Sequence, residues 1–298
     1  MSAATQFITL GTAGGPTPKP DRAPPAHAVV RGDRVILVDC GEGAFQQLRK
    51  ANIDLRRVHE VFITHHHFDH IGSLFACLGL NMMLHRKENM NIYGPPGTEA
   101  IMEGLLTACD VPHATGFGVP GQTLTHPRDF VNVTEIMPLG EIIIDDIRIT
   151  CCENTHYRTE DKFGENGPLS LSLRFDAPDR SIVFTGDTGP CAALEKFARG
   201  AQLLVGELID VEKTMARIRA ANPDMPEDRL QMINHHMDEH HLRPEQLGHL
   251  AASAEVDQVV AVHLPFDRLS DLEKREYVEK IGASFSGEIS IGEDLARY

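Results

Sequence analysis

The segment Thr64-His-His-His-Phe-Asp-His70 carries four metal-competent donors, His65, His67, Asp69 and His70, within six positions. It directly follows Glu60-Val-Phe-Ile63, a short β-branched run that reads as a strand. In extended chain, residues i and i+2 project to the same side, so His65 and His67 can grip one cation while His66 and Phe68 point away. Asp69 and His70, past the point where the chain turns, can face a second cation a few ångströms off. Imidazole plus carboxylate is the donor mix expected for zinc, with manganese or iron(II) as alternatives. Three further donors stand just after predicted strands. His156 closes Cys152-Glu-Asn-Thr-His, Asp187 lies in Thr185-Gly-Asp-Thr, and His263 ends Gln258-Val-Val-Ala-Val. A second histidine cluster, His235-His-Met-Asp-Glu-His-His241, offers proton donors; His235 and His236 read as an exposed polar face.

The elements that must position these groups are short. Strands are expected at Phe7–Leu10, Arg34–Val38, Glu60–Ile63, Asn91–Tyr93, Glu141–Ile144 and Arg148–Thr150. More follow at Leu169–Leu173, Ser181–Phe184, Gln202–Val205 and Gln258–Val262. The alternation in Leu169-Ser-Leu-Ser-Leu173 reads as a half-buried strand. Helical patterns cover Ala44–Ala51, Gly97–Ala108, Cys191–Ala198, Pro244–Ala254 and Ser270–Ile281. Pro16–Pro25 and Gly118–Pro127 read as surface loops. Interleaved strands and helices with no linker of Ser and Gly predict one α/β domain over residues 1–298.

Composition narrows the setting. Twenty-eight Lys and Arg against 43 Asp and Glu give a net charge of −15, which disfavours broad binding to nucleic acid or anionic membrane. No apolar run approaches the roughly 20 residues of a membrane span. The start has neither a basic nor a long apolar segment, and the six cysteines form no C-x-x-C pair. The expectation is a cytoplasmic protein with reduced thiols.

Thr-His-x-His-x-Asp-His, the later Thr-His156, Thr-Gly-Asp187-Thr and Val-His263 together resemble the metallo-β-lactamase fold superfamily. Leu10-Gly-Thr-Ala-Gly-Gly15-Pro and Leu37-Val-Asp39-Cys-Gly-Glu42-Gly are similar to its tRNase Z-like branch, which also holds arylsulfatases and small phosphodiesterases. The resemblance spans nearly the whole chain. It implies a four-layer αββα sandwich, with His65, His67 and His156 on one metal, Asp69, His70 and His263 on the other, and Asp187 bridging them. Asp39 would support the histidine loop. Two divalent cations sharing a water lower its pKa and so provide hydroxide near neutral pH. Asp69 then counts as catalytic as well as a ligand. His241 is implied as proton donor to the leaving group, oriented by Glu207 of Val205-Gly-Glu207, with His240 as a rival. The branch usually has His where Gly206 stands, and Gly-His-Ser-Thr where this chain reads His240-His-Leu-Arg243.

Substrate is the open question. In the branch, tRNA is gripped by a basic arm inserted between the third ligand histidine and the bridging aspartate. Here His156 and Asp187 are 31 positions apart, too few for that arm plus two strands. With the acidic balance, this predicts a small-molecule ester-like substrate and no nucleic acid: a phosphodiester, sulfate ester, lactone or carboxylic ester. Arg158 and Lys162 are the cations nearest the expected mouth. The alternatives are a tRNA 3′-processing endonuclease, displacement on an activated aromatic ring, and a non-catalytic or redox relative. By resemblance the chain forms a homodimer, with Leu80-Asn-Met-Met-Leu84 as a candidate contact.

Overall fold

The computed structural model describes residues 4–116, 121–157 and 167–298. Arg158, Lys162 and most of the expected mouth segment lie outside these residues. The chain divides into two compact units, one comprising Met1–Gly11, Ala23–Ile136 and Asp294–Tyr298, the other Thr12–Arg22 and Met137–Glu293.

The first unit is built on a six-stranded sheet of β1 (Thr5–Gly11), β2 (Ala26–Arg31), β3 (Arg34–Val38), β4 (Val58–Phe62), β5 (Met90–Gly94) and β6 (Val131–Glu135), ordered as numbered. β1 to β3 form an antiparallel meander, and β3 to β6 run parallel. Its helices are α1 (Ala44–Lys50), α2 (Phe68–Ile71), α3 (Leu74–Met83), α4 (Thr98–Ala108) and α5 (Asp110–Thr115). They supply Leu48, Leu78 and Met102 to a core shared with Ile8, Leu37 and Val61 of the sheet. Because β4 and β5 are parallel and internal, both faces are covered and the run Val58–Ile63 is largely buried. The histidine loop therefore leaves the end of a fixed strand.

The second unit has seven strands in the order β13-β12-β11-β10-β9-β8-β7: β7 (Glu141–Ile144), β8 (Ile147–Glu153), β9 (Leu171–Asp176), β10 (Ser181–Phe184), β11 (Leu203–Glu207), β12 (Gln258–Val262) and β13 (Glu288–Ile291). β7 to β10 are antiparallel and β10 to β13 parallel. Helices α6 (Ala192–Phe197), α7 (Val211–Ala221), α8 (Glu227–His240), α9 (Pro244–Ser253) and α10 (Asp271–Gly282) complete it. Leu194, Leu247, Leu250 and Ile281 from α6, α9 and α10 pack with Val183, Leu204 and Val259 of the sheet. α7 and α8 form a hairpin with its own small core of Ile209, Val211, Met215 and Leu230.

The α/β class with two sheets is as expected, and all six cysteines are buried free thiols. Some local expectations differ. The Leu169–Leu173 alternation does not mark an exposed face: Ser170 and Ser172 are buried, and Ser172 donates to the Thr185 carbonyl. A hydroxyl with a backbone acceptor can be buried at little cost. β2 lies outside the expected strands; its backbone pairs with β1 and β3 on both sides. Among the described residues no helix is long and apolar enough to cross a membrane.

Candidate metal centre

In the first unit the histidine loop is organised by one buried carboxylate. Asp39 follows β3 with φ +60°, a conformation Asp and Asn tolerate better than most residues. It accepts hydrogen bonds from the Thr64 amide (2.8 Å), the Thr64 hydroxyl (3.0 and 2.9 Å to its two oxygens) and His70 Nδ1 (2.8 Å). With its proton donated to Asp39, the Thr64 hydroxyl accepts from His65 Nδ1 at 3.0 Å. Both histidines thereby carry the proton on Nδ1 and the lone pair on Nε2. His65 Nε2 stands 3.2 Å from His67 Nδ1. That is close to the separation of about 3.3 Å between two donors on one tetrahedral zinc with bonds near 2.0 Å. His70 Nε2 lies 3.7 Å from Asp69 Oδ2. His66 turns away to Thr98 Oγ1 at 2.8 Å, and burial holds its imidazole below the usual pKa. Phe68 also points out, 77% exposed.

The second unit presents the complementary donors at three strand ends. After β8, Asn154 bonds the Thr185 carbonyl (3.0 Å) through Nδ2 and accepts from the His156 amide (3.2 Å) through Oδ1. His156 Nδ1 donates to the His240 carbonyl at 3.0 Å, and its Nε2 lies 3.9 Å from Asp187 Oδ2. Asp187 follows Gly186, whose φ of +59° makes the turn out of β10. The same carboxylate oxygen is 3.2 Å from His263 Nε2. Asp187, His241 and His263 each offer a donor atom within 4.8 Å of the others.

His241 rather than His240 meets Glu207, at 2.7 Å from Nδ1 to Oε2. Glu207 ends β11 and is 1% exposed, and its other oxygen accepts from the Thr188 amide. Burial pushes its carboxyl above the ordinary range; His241 pulls it down, and Asp187 adds to the rise. His240 is committed elsewhere, its Nδ1 3.1 Å from the Thr155 carbonyl. His236, one turn earlier on α8, is exposed, yet its ring lies 5.9 Å from that of His156 and 5.6 Å from that of His241. Sequence reasoning placed His236 on a solvated face and missed this proximity. The i, i+4 spacing of His236 and His240 was the available signal, once the segment is known to be helical.

Within each unit, then, the expected donors converge: His65, His67, Asp69 and His70 in the first, His156, Asp187 and His263 in the second. Imidazole nitrogens and carboxylate oxygens this close, with tautomers fixed from behind, fit divalent cations.

The family model for the beta-lactamase superfamily domain matches residues 34–264. The chain belongs to that superfamily. Ribonuclease Z of Mycobacterium avium (strain 104) is 28% identical over 295 residues, covering 97% of this chain and 96% of its own. Among solved structures, the metallo-beta-lactamase fold protein YhfI from Bacillus subtilis superposes with a TM-score of 0.70 at 17% identity, covering 99% of this chain and 98% of that one. The short form of human tRNase Z gives 0.64 at 18% identity, with 98% of each chain covered. Fold class and superfamily expected from the motifs are both upheld, and the protein is a metal-dependent hydrolase.

The same relatives overturn one expectation. A small-molecule substrate with no nucleic acid does not stand beside relatives that are ribonucleases by name and match end to end. Two physical shortcuts misled it. Net charge sums the whole surface, whereas a scissile phosphate meets only a local part of it. The spacing of His156 and Asp187 speaks to one insertion point and says nothing of the rest of the surface.

Proposed function

We propose that this protein is an RNA phosphodiesterase of the tRNA 3′-end-processing kind, a cytoplasmic enzyme acting as one hydrolase domain over residues 1–298. The end-to-end similarity to ribonuclease Z carries this reading. The donor geometry in each unit supports it. In this reading His65, His67 and His156 would hold one divalent cation, zinc first among the candidates, Asp69, His70 and His263 would hold a second, and Asp187 would be a ligand at the same centre. Asp69 serves both as ligand and at the reacting centre. Divalent cations held there would supply hydroxide near neutral pH and neutralise charge that builds on the phosphoryl oxygens.

The chain's own residues do the rest. Glu207 holds the Nδ1 proton of His241, so Nε2 of the doubly protonated ring is the atom that delivers a proton to the leaving oxygen and is left with its lone pair. The Thr188 amide anchors Glu207, which keeps that pair in register with the loop bearing Asp187. Asp39 plays the corresponding part for His70, and the His240 carbonyl for His156. A homodimer contact through Leu80–Leu84 is part of the proposal, supported by Met83 and Leu84 at 45% and 46% exposure; Asn81 and Met82 face inward.

The test is a precursor tRNA bearing a 3′ trailer, incubated with protein reloaded with zinc, manganese or iron(II) after chelation. Trailer release that depends on metal and falls steeply with salt is expected. Failure to cut with any of these metals would overturn the proposal. His241→Ala should retain metal and lower turnover by about 10²–10⁴-fold. An unchanged rate would move the proton donor to His240.

A further inference from the structure

The α7–α8 hairpin occupies the interval between Glu207 and His241, the two members of the buried acid–base pair. Its far end is pinned. His240 bonds Thr155 through its ring and His156 through its carbonyl, and Asp238 pairs with Arg243. Gly189 approaches so closely that a Cβ there would lie 1.9 Å from the Glu239 carbonyl oxygen. A helix held this way at its last turn fixes the direction of the turn before it. His236 sits on that turn, about 6 Å further along the axis than His240 and on the same face. Its ring neighbours His156 and His241, yet it lies outside the group of donors formed by Asp187, His241 and His263, and it is exposed.

We propose that His236 is a substrate-binding residue, donating an imidazole N–H to a non-bridging oxygen of an RNA phosphate adjacent to the scissile one. This rests on the RNA-processing reading above. The chemistry follows from position. A group exposed to solvent beside the proton donor, on a rigidly held turn, meets the part of a polyanionic strand that extends beyond the reacting bond. The hairpin thereby gives the site a contact to the substrate backbone that does not require an arm between His156 and Asp187.

The experiment measures kcat and KM for His236→Ala and His236→Gln on a precursor with a 3′ trailer. It is repeated on precursors carrying a single neutral methylphosphonate at each linkage flanking the cleavage point. His236→Ala should raise KM about tenfold, the loss of one charge-assisted hydrogen bond, with kcat moving less. His236→Gln, which keeps an N–H donor, should recover most of the loss. One methylphosphonate position should penalise the parent enzyme and add little to the penalty of His236→Ala. Metal content and thermal midpoint, read alongside, exclude a merely structural effect. Identical methylphosphonate profiles for parent and His236→Ala, or a KM unchanged in His236→Ala, would overturn the inference alone. A parent enzyme that does not release the trailer would instead sink the RNA-processing reading, and this inference with it.

Discussion

Gly189→Ala tests whether the close packing at the end of α8 governs the metal site. The added methyl would meet the Glu239 carbonyl oxygen at 1.9 Å, its carbon at 2.8 Å and Thr155 Oγ1 at 3.2 Å. Backbone is in the way, so no side-chain rotation relieves the clash. Separating the first pair to 3.0 Å, the shortest approach real Cβ atoms make, needs more than 1 Å of movement. Overpacking of this kind costs about 1–3 kcal/mol, or roughly 2–10 °C in thermal midpoint for a chain of this size. The carbonyl of His240 follows Glu239 in the chain and accepts from His156 Nδ1 at 3.0 Å. Displacing it by about 1 Å takes that pair beyond hydrogen-bond range. Losing a partner behind a metal-bound histidine lowers affinity about 10–100-fold. Thermal denaturation and competition with a chromogenic chelator measure the two effects. A Gly189→Ala protein with the parent's midpoint and the parent's metal affinity would refute the coupling.

Asp39→Asn keeps a residue that accepts φ +60° but removes the charge behind Thr64 and His70. It should cost about 2–4 kcal/mol and weaken metal retention; full stability with parental metal content by elemental analysis would contradict it. Gly104→Ala, in the exposed interior of α4 with nothing within 4 Å of the new methyl, should stabilise by about 0.5–1 kcal/mol in denaturant titration. Lys213 and the Ser270 cap hold the Glu273 carboxyl down to about 2, against an ordinary value of 4.5. Its stabilising contribution is therefore complete above pH 4.5 and is lost as pH falls toward 2. Glu273→Gln retains the cap and should be destabilised by less than about 1 kcal/mol at neutral pH. The difference from the parent should vanish on acidification; a gap that widens below pH 4 would show the sign to be wrong.

That His65, His67, Asp69 and His70 come together, and likewise His156, Asp187 and His263, was legible from residue type and spacing: His65 and His67 alternate as extended chain requires, and each later residue follows a strand whose pattern is plain. The pairing of Glu207 with His241 was also within reach by resemblance, although choosing between His240 and His241 needed the carbonyl of Thr155, which no sequence pattern signals. The α7–α8 hairpin was not read at all. Its helices are mostly polar, and their apolar residues serve only a small separate core, so the periodic signal of a helix on a main core is weak. The expectation of no nucleic acid failed for a related reason, since charge counted over the chain says little about the few groups that line one site.

The hairpin's separate core has a dynamic consequence. Few apolar side chains hold it, and regions of that kind open at lower free energy than the sheets they rest on. Its last turn is tied separately, through His240 to Thr155 and His156 and through Asp238 to Arg243, so the hairpin can loosen where α7 meets α8 without releasing those contacts. On slow heating, the outer turns of the hairpin should therefore exchange their amide protons ahead of cooperative melting, while the tethered turn at Glu239 and His240 opens only with the sheet beneath it.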